Sequence, residues 1–186
     1  MEIIEIIGFL FAVLGIYFSA KRKLIFWPLN IISSASYMFF FYEINLYADS
    51  ILQIFFILSS IFGWYNWHKN IEKNSDVLVI RSISKNQIAV IIIAILAIGL
   101  AIGFVLKNFT NADYAYYDSI LLSASIITTL LSAKVYIENW YFWIVINSAY
   151  IVLYIYKEAH LTAILYLILI ILAIIGLRDW KKSLNV

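Results

Sequence analysis

Apolar residues gather into seven long windows separated by short polar and charged clusters, at about residues 3–20, 24–42, 47–67, 88–106, 117–133, 139–156 and 161–177. A hydrocarbon core about 30 Å thick takes roughly 20 apolar residues per helix, so each window predicts a spanning helix. The windows are far longer than the alternating segments of about ten residues that a β-barrel uses, and a helix satisfies its backbone amides within one segment. The expected fold is an all-α integral membrane protein with seven transmembrane helices. A signal peptide begins with basic residues, but here Glu2 and Glu5 lead the first window and Lys21, Arg22 and Lys23 follow it, so it reads as a retained span.

Composition sharpens this reading. Of the 186 residues 65% are hydrophobic and 13% charged, with a mean hydropathy of +0.94, whereas soluble domains carry about 25% charged residues. That excludes a water-soluble domain, a disordered tail and a nucleic-acid partner. The chain holds no cysteine and two histidines, His68 and His160, so no metal centre or cofactor is expected. Intramembrane acids are few and scattered, and the chain does not read as an enzyme. Assigning the loops alternately to two sides puts eleven of the thirteen Lys and Arg on one side and leaves Lys107 and Lys157 on the other. The positive-inside rule then predicts an outside N-terminus and a cytoplasmic C-terminus.

The chain also resembles itself. A shift of 113 residues aligns Ser19-Ala20-Lys21 with Ser132-Ala133-Lys134, Trp27 with Trp140, Tyr37 with Tyr150, Gly63 with Gly176 and Trp67 with Trp180. Each repeat covers three spans, and one linking helix restores the orientation that an odd-span fusion would invert. The expected organisation is a first three-helix repeat over residues 1–70, a polar linker and fourth helix over 71–112, and a second repeat over 113–186, a parallel 3+1+3 duplication. The fourth span, purely aliphatic apart from phenylalanine, suits a peripheral connector.

Helical spacing locates the candidate chemistry. In the sixth span Trp140, Trp143, Asn147, Tyr150 and Tyr154 fall within a sector of about 80°, and their repeat counterparts are Trp27, Asn30, Ser34, Tyr37 and Phe41. The third span carries Asp49, Gln53, Phe56, Ser60, Gly63 and Trp67 along one stripe, and the fifth carries Asp118, Ser125, Thr129 and Ser132. Polar groups at membrane depth are costly unless they face the interior, so the stripes are expected to point inward and to bind a flat, hydrogen-bonding solute. Some residues have plainer readings. Trp64, Trp67 and Trp180 lie near span ends and read as interfacial anchors. Asp49 and Asp118 read as helix N-terminal charges. Asn30 reads equally as a partner for backbone freed at Pro28, Tyr150 and Tyr154 as site wall or packing, and His160 as a loop residue.

The run Leu46-Tyr47-Ala48-Asp49-Ser50-Ile51-Leu52-Gln53, followed by Gly63-Trp64-Tyr65-Asn66-Trp67, resembles the first-repeat signature of the Pnu vitamin transporters. Glu138-Asn139-Trp140-Tyr141-Phe142-Trp143, with Asn147 four residues on, resembles the second-repeat signature, and Asp118-Ser119 the start of that repeat. The likeness covers nearly the whole chain. It implies a 3+1+3 fold related to full-length SWEET sugar transporters, facilitated diffusion of a vitamin across the inner (plasma) membrane, trapping by a cytoplasmic kinase, and a homo-oligomer, as a trimer. Position by position, Gln53, Trp140, Trp143 and Asn147 match places where the nicotinamide riboside branch contacts its substrate. The stripes add Tyr150, Asn30, Ser34 and Tyr37 to the candidate site. Ser33 and Ile175 stand where that branch often has asparagine, and Trp27-Pro28 also departs from it. Nicotinamide riboside is the expected cargo, while thiamine, or a sugar in a SWEET-like carrier, stays open. The absence of a midplane carboxylate cluster and of an ATP motif points to a uniporter.

Overall fold

The computed structural model describes residues 2–43, 47–74, 78–109, 114–156 and 160–184. They form seven helices: α1 (Glu2–Ala20), α2 (Phe26–Glu43), α3 (Tyr47–Lys73), α4 (Lys85–Phe109), α5 (Ala115–Ala133), α6 (Glu138–Tyr156) and α7 (His160–Leu184). Each apolar window is a helix. Two run about two turns past their windows: α3 continues to Lys73 and α7 to Leu184. Hydropathy marks where a helix stops being apolar, not where its hydrogen bonding stops, and His68, Lys69, Arg178, Lys181 and Lys182 are exposed helical residues. His160 opens α7 rather than lying in a loop; its side chain, those of Phe41 and Asp49, and all of Leu46 and Lys157 lie outside the described residues.

Among the described residues, four helices are long and apolar enough to cross a membrane by length and composition, over Ile3–Ala20, Lys85–Phe109, Ala115–Ala133 and Ala163–Leu184. The other three, α2, α3 and α6, have the length but carry Trp, Tyr, Asn, Gln and Ser. These are the helices whose sequences hold the richest polar-aromatic stripes, and the stripe itself lowers their hydropathy.

Two helix ends share one device. After α1, Arg22 takes φ 58° and Lys23 N–H donates to Phe18 O at 2.9 Å; after α5, Val135 takes φ 63° and Tyr136 N–H donates to Leu131 O at 3.0 Å. Each is a left-handed C-terminal cap closed by a bond five residues back, and every pair of equivalent residues is 113 apart. The internal likeness of the sequence thus extends to backbone geometry, with a non-glycine residue in the left-handed region both times.

The chain forms two compact units. The first comprises Met1–Ile80, Ala133–Val135 and Leu172–Val186; the second, Arg81–Ser132 and Tyr136–Ile171. In the first unit, Ser33 donates to Gly8 O at 2.8 Å and Ser50 to Met38 O at 2.9 Å, tying α2 to α1 and α3. Pro28 falls in the first turn of α2, where its missing N–H breaks no intrahelical bond. The core of this unit is aromatic: Trp27, Trp67 and Trp180 are fully buried. Trp67 lies 5.3 Å from Trp27 and 5.9 Å from both Phe26 and Trp180, centroid to centroid. Trp180 Nε1 donates to Ser19 O at 3.2 Å, and beside it Lys21 Nζ meets Asp179 Oδ2 at 2.7 Å. The anchor reading of Trp67 and Trp180 is therefore corrected; only Trp64, 43% exposed, keeps an outward ring. Gly63 makes the room, because a Cβ there would run into the Trp27 ring. The end of the unit closes with Asn70, whose side-chain amide pairs with both backbone groups of Val79, at 2.8 and 3.1 Å.

In the second unit α4 is more than a connector. Ile95, Gly99 and Gly103 form its buried stripe, and a side chain at either glycine would strike the α5 backbone at Ile120 or Tyr116. Ser123 of α5 donates to Ile95 O at 2.8 Å across this close contact. The opposite face of α4, with Val90, Ile93, Leu100 and Phe104, is exposed. The segment before α4 is held at the start of α6: Ile137 N–H donates to Arg81 O at 2.9 Å, and Ser82 Oγ donates to the buried Glu138 at 2.5 Å.

Candidate functional site

The stripe read from the sixth span is an inward face. Trp140 and Asn147 are buried, and Trp143, Tyr150 and Tyr154 are half-buried, while Tyr141, Val145, Val152 and Ile155 on the other side of α6 are exposed. Trp143 and Tyr150 pack against the Ile95–Ala124–Ile146 core that joins α4, α5 and α6. The face is also held in orientation. Trp143 Nε1 donates to Ser132 Oγ at 3.4 Å, and Ser132 Oγ lies 3.0 Å from Asn139 Oδ1. Asn139 in turn donates to Tyr136 O at 2.6 Å. Tyr117 donates to Ala149 O at 2.9 Å, fixing α5 to the C-terminal half of the same helix.

The polar stripe of α5 costs less than its residue types imply. Ser125 and Thr129 each return their hydroxyl proton to the carbonyl four residues back, at 2.9 and 2.8 Å. A hydroxyl bonded within its own helix can be buried without a partner on another. Asp118 sits in the first turn of α5, where a carboxylate complements the helix dipole.

In the first unit Gln53 and Ser34 are buried and Tyr37 is half-buried against Gly8. Asn30 Nδ2 donates to Ser60 Oγ at 2.8 Å, and Ser60 Oγ passes its own proton to Phe56 O at 2.7 Å. Asn30 thus joins α2 to α3 and is not spent on backbone near Pro28. The two repeats differ here, because the counterparts of Asn30 and Ser60 are Trp143 and Ala173, which cannot form that bond.

A sequence profile described as the nicotinamide mononucleotide transporter matches residues 2–182. The chain belongs to this family. It is a membrane transporter of the Pnu vitamin type, not an enzyme, as the sequence motifs implied. Among relatives of this family member, the nicotinamide riboside transporter PnuC of Escherichia coli (strain K12) is 25% identical, over 97% of this chain and 85% of its own. The riboflavin/roseoflavin transporter RibM of Streptomyces davaonensis is 21% identical, over 95% of this chain and 83% of its own. A crystal structure of the vitamin B3 transporter PnuC shares the fold at TM-score 0.77 and 19% identity, covering 96% of this chain and 80% of that one.

One member of the polar-aromatic set was not singled out by the helical spacing. Tyr166 of α7 stacks on Tyr150 and Tyr154, with centroids 4.7 and 5.3 Å away. The signal was in the repeat: Tyr166 stands 113 residues after Gln53.

Proposed function

We propose that this transporter carries nicotinamide riboside by facilitated diffusion, and that a cytoplasmic kinase traps the product. The observation that carries the reading is the α6 face, where Trp140, Trp143, Asn147 and Tyr150 line one inward side with Trp143 held by Ser132. Flat indole rings beside an amide suit an aromatic cation: cation–π attraction contributes about 0.5–2 kcal/mol per contact, and the amide recognises hydroxyl or carboxamide groups. The name of the Escherichia coli relative agrees with that cargo. Gln53, Asn30, Ser34 and Tyr37 supply the first repeat's share of the binding residues. The seven helices all span the inner membrane as a 3+1+3 duplication, over residues 1–70, 71–112 and 113–186, with the N-terminus outside, the C-terminus in the cytoplasm, and copies of the chain associating as a trimer.

No ion drives the cycle in this reading, since the deep polar positions are Gln53, Asn147 and hydroxyls. A cationic vitamin still feels the membrane potential, worth about 2.3 kcal/mol per charge per 100 mV. The test is purified protein in proteoliposomes held at zero potential, offered labelled nicotinamide riboside, thiamine, riboflavin and a hexose in turn. Nicotinamide riboside is expected to equilibrate to equal concentrations regardless of a proton or sodium gradient. Uptake of thiamine or hexose instead would replace the cargo, and accumulation driven by either gradient would overturn uniport.

A further inference from the structure

Tyr166 interrupts the apolar stretch of α7: it is the one aromatic residue from Leu161 to Leu177. If packing were its task, leucine would serve without bringing a hydroxyl into an apolar segment. Its neighbours give that hydroxyl and ring a setting. The Tyr166 ring lies 28° from the plane of Tyr150 and 19° from that of Tyr154, and Tyr150 lies 26° from Tyr154 with centroids 6.1 Å apart. Three phenol rings stacked nearly parallel cover part of one another's faces, and a face left on the outside of such a stack attracts a cation or stacks on a flat ring. None of the three is fully buried.

The repeat supplies an independent pointer. In register, Tyr166 occupies the place of Gln53, just as Asn147 occupies that of Ser34 and Tyr150 that of Tyr37. Each of these other positions already belongs to the candidate binding set. Tyr166 is the member that the duplication requires and that no span-by-span reading of helical faces collects.

We propose that Tyr166, with Tyr150 and Tyr154, forms an aromatic subsite that receives the positively charged ring of the substrate, making Tyr166 a determinant of selectivity for cationic over neutral vitamins. This rests on the reading of the protein as a carrier of an aromatic cation.

Calorimetry on the purified protein separates this from simple packing. The probes are nicotinamide riboside, which carries a pyridinium charge, and its reduced dihydropyridine form, which has nearly the same shape and no charge. Tyr166→Leu is expected to weaken binding of the charged form about tenfold while changing the neutral form by less than about twofold, and Tyr166→Phe to keep the charged form within about threefold of wild type. If Tyr166→Leu binds both forms like wild type while Trp143→Ala and Asn147→Ala lose binding, the subsite is overturned and the functional reading stands. If wild type binds neither form, the functional reading fails and the subsite with it. Should Tyr166→Leu not fold, Tyr154→Leu takes its place: reduced preference for the charged form supports the subsite, and unchanged preference overturns it.

Discussion

The indole of Trp27 lies where a side chain on Gly63 would have to be. The glycine is a notch in α3, and the ring that fills it is wedged between Phe26, at 4.4 Å, and Trp67, at 5.3 Å. The ring has no free direction in which to swing.

Gly63→Ala should therefore overpack the aromatic core, at a cost of about 1–3 kcal/mol. Thermal unfolding in detergent should show a lower Tm for Gly63→Ala, and Gly63→Ala combined with Trp27→Leu should recover part of the loss. A Tm equal to wild type in the single variant would mean that α3 moves away at no cost.

Asn30→Ala and Ser60→Ala should each lower stability by about 0.5–1.5 kcal/mol, because each removes the one side-chain bond observed between these residues of α2 and α3. The double variant should lose little more than the worse single variant. Fully additive losses would show that the two residues act separately. Measuring vitamin affinity in Asn30→Ala alongside Tm tells whether its carbonyl oxygen also meets the substrate.

Gln53→Ala, Asn147→Ala and Trp143→Ala should each weaken vitamin binding roughly ten- to hundredfold, the cost of about 1–3 kcal/mol for a buried ligand group left without its partner. Ile92→Ala, on an exposed position of α4, should leave affinity unchanged. Normal affinity in all three site variants, read by calorimetry, would move the pocket elsewhere.

The Lys21–Asp179 pair has a defined pH signature. The hydrogen bond to Asp179, helped by its charge, holds the Lys21 ammonium above its ordinary value of 10.5. A raised folded-state pKa means that the contribution is fully present below 10.5 and fades as pH rises through the higher folded value. The Tm difference between wild type and Lys21→Met should thus stay constant from about pH 6 to 9 and shrink only above the ordinary lysine range. It should also shrink in high salt, since the pair is exposed. A difference that disappears near neutral pH would assign the effect to another group.

Helix number was legible because it depends on one local quantity. Any run of about 20 apolar residues is stable in lipid as a helix whatever surrounds it, and all seven windows are helices. The inward faces of α6 and α2 were legible for a similar reason, since the direction of a side chain around a single helix follows from spacing alone. The ends of α3 and α7 were less so, because polar residues such as Lys69 and Lys181 continue a helix into water without leaving a mark in hydropathy.

What the sequence alone determined is therefore what one helix decides for itself: its existence, its polar side and its repeat partner 113 residues away. What only the tertiary structure decided is which surface each side meets. A tryptophan at a span end gains comparably from an interface or from a core, and Trp67 and Trp180 went to the core because Gly63 lets Trp27 approach and Ser19 O accepts the Trp180 indole. Asn30 was free in principle to serve backbone, substrate or another helix, and the position of Ser60 chose the helix. Tyr166 could be paired with Gln53 by counting, but its stacking on Tyr150 and Tyr154 depends on how α7 packs against α6, a choice among apolar surfaces that periodicity does not distinguish.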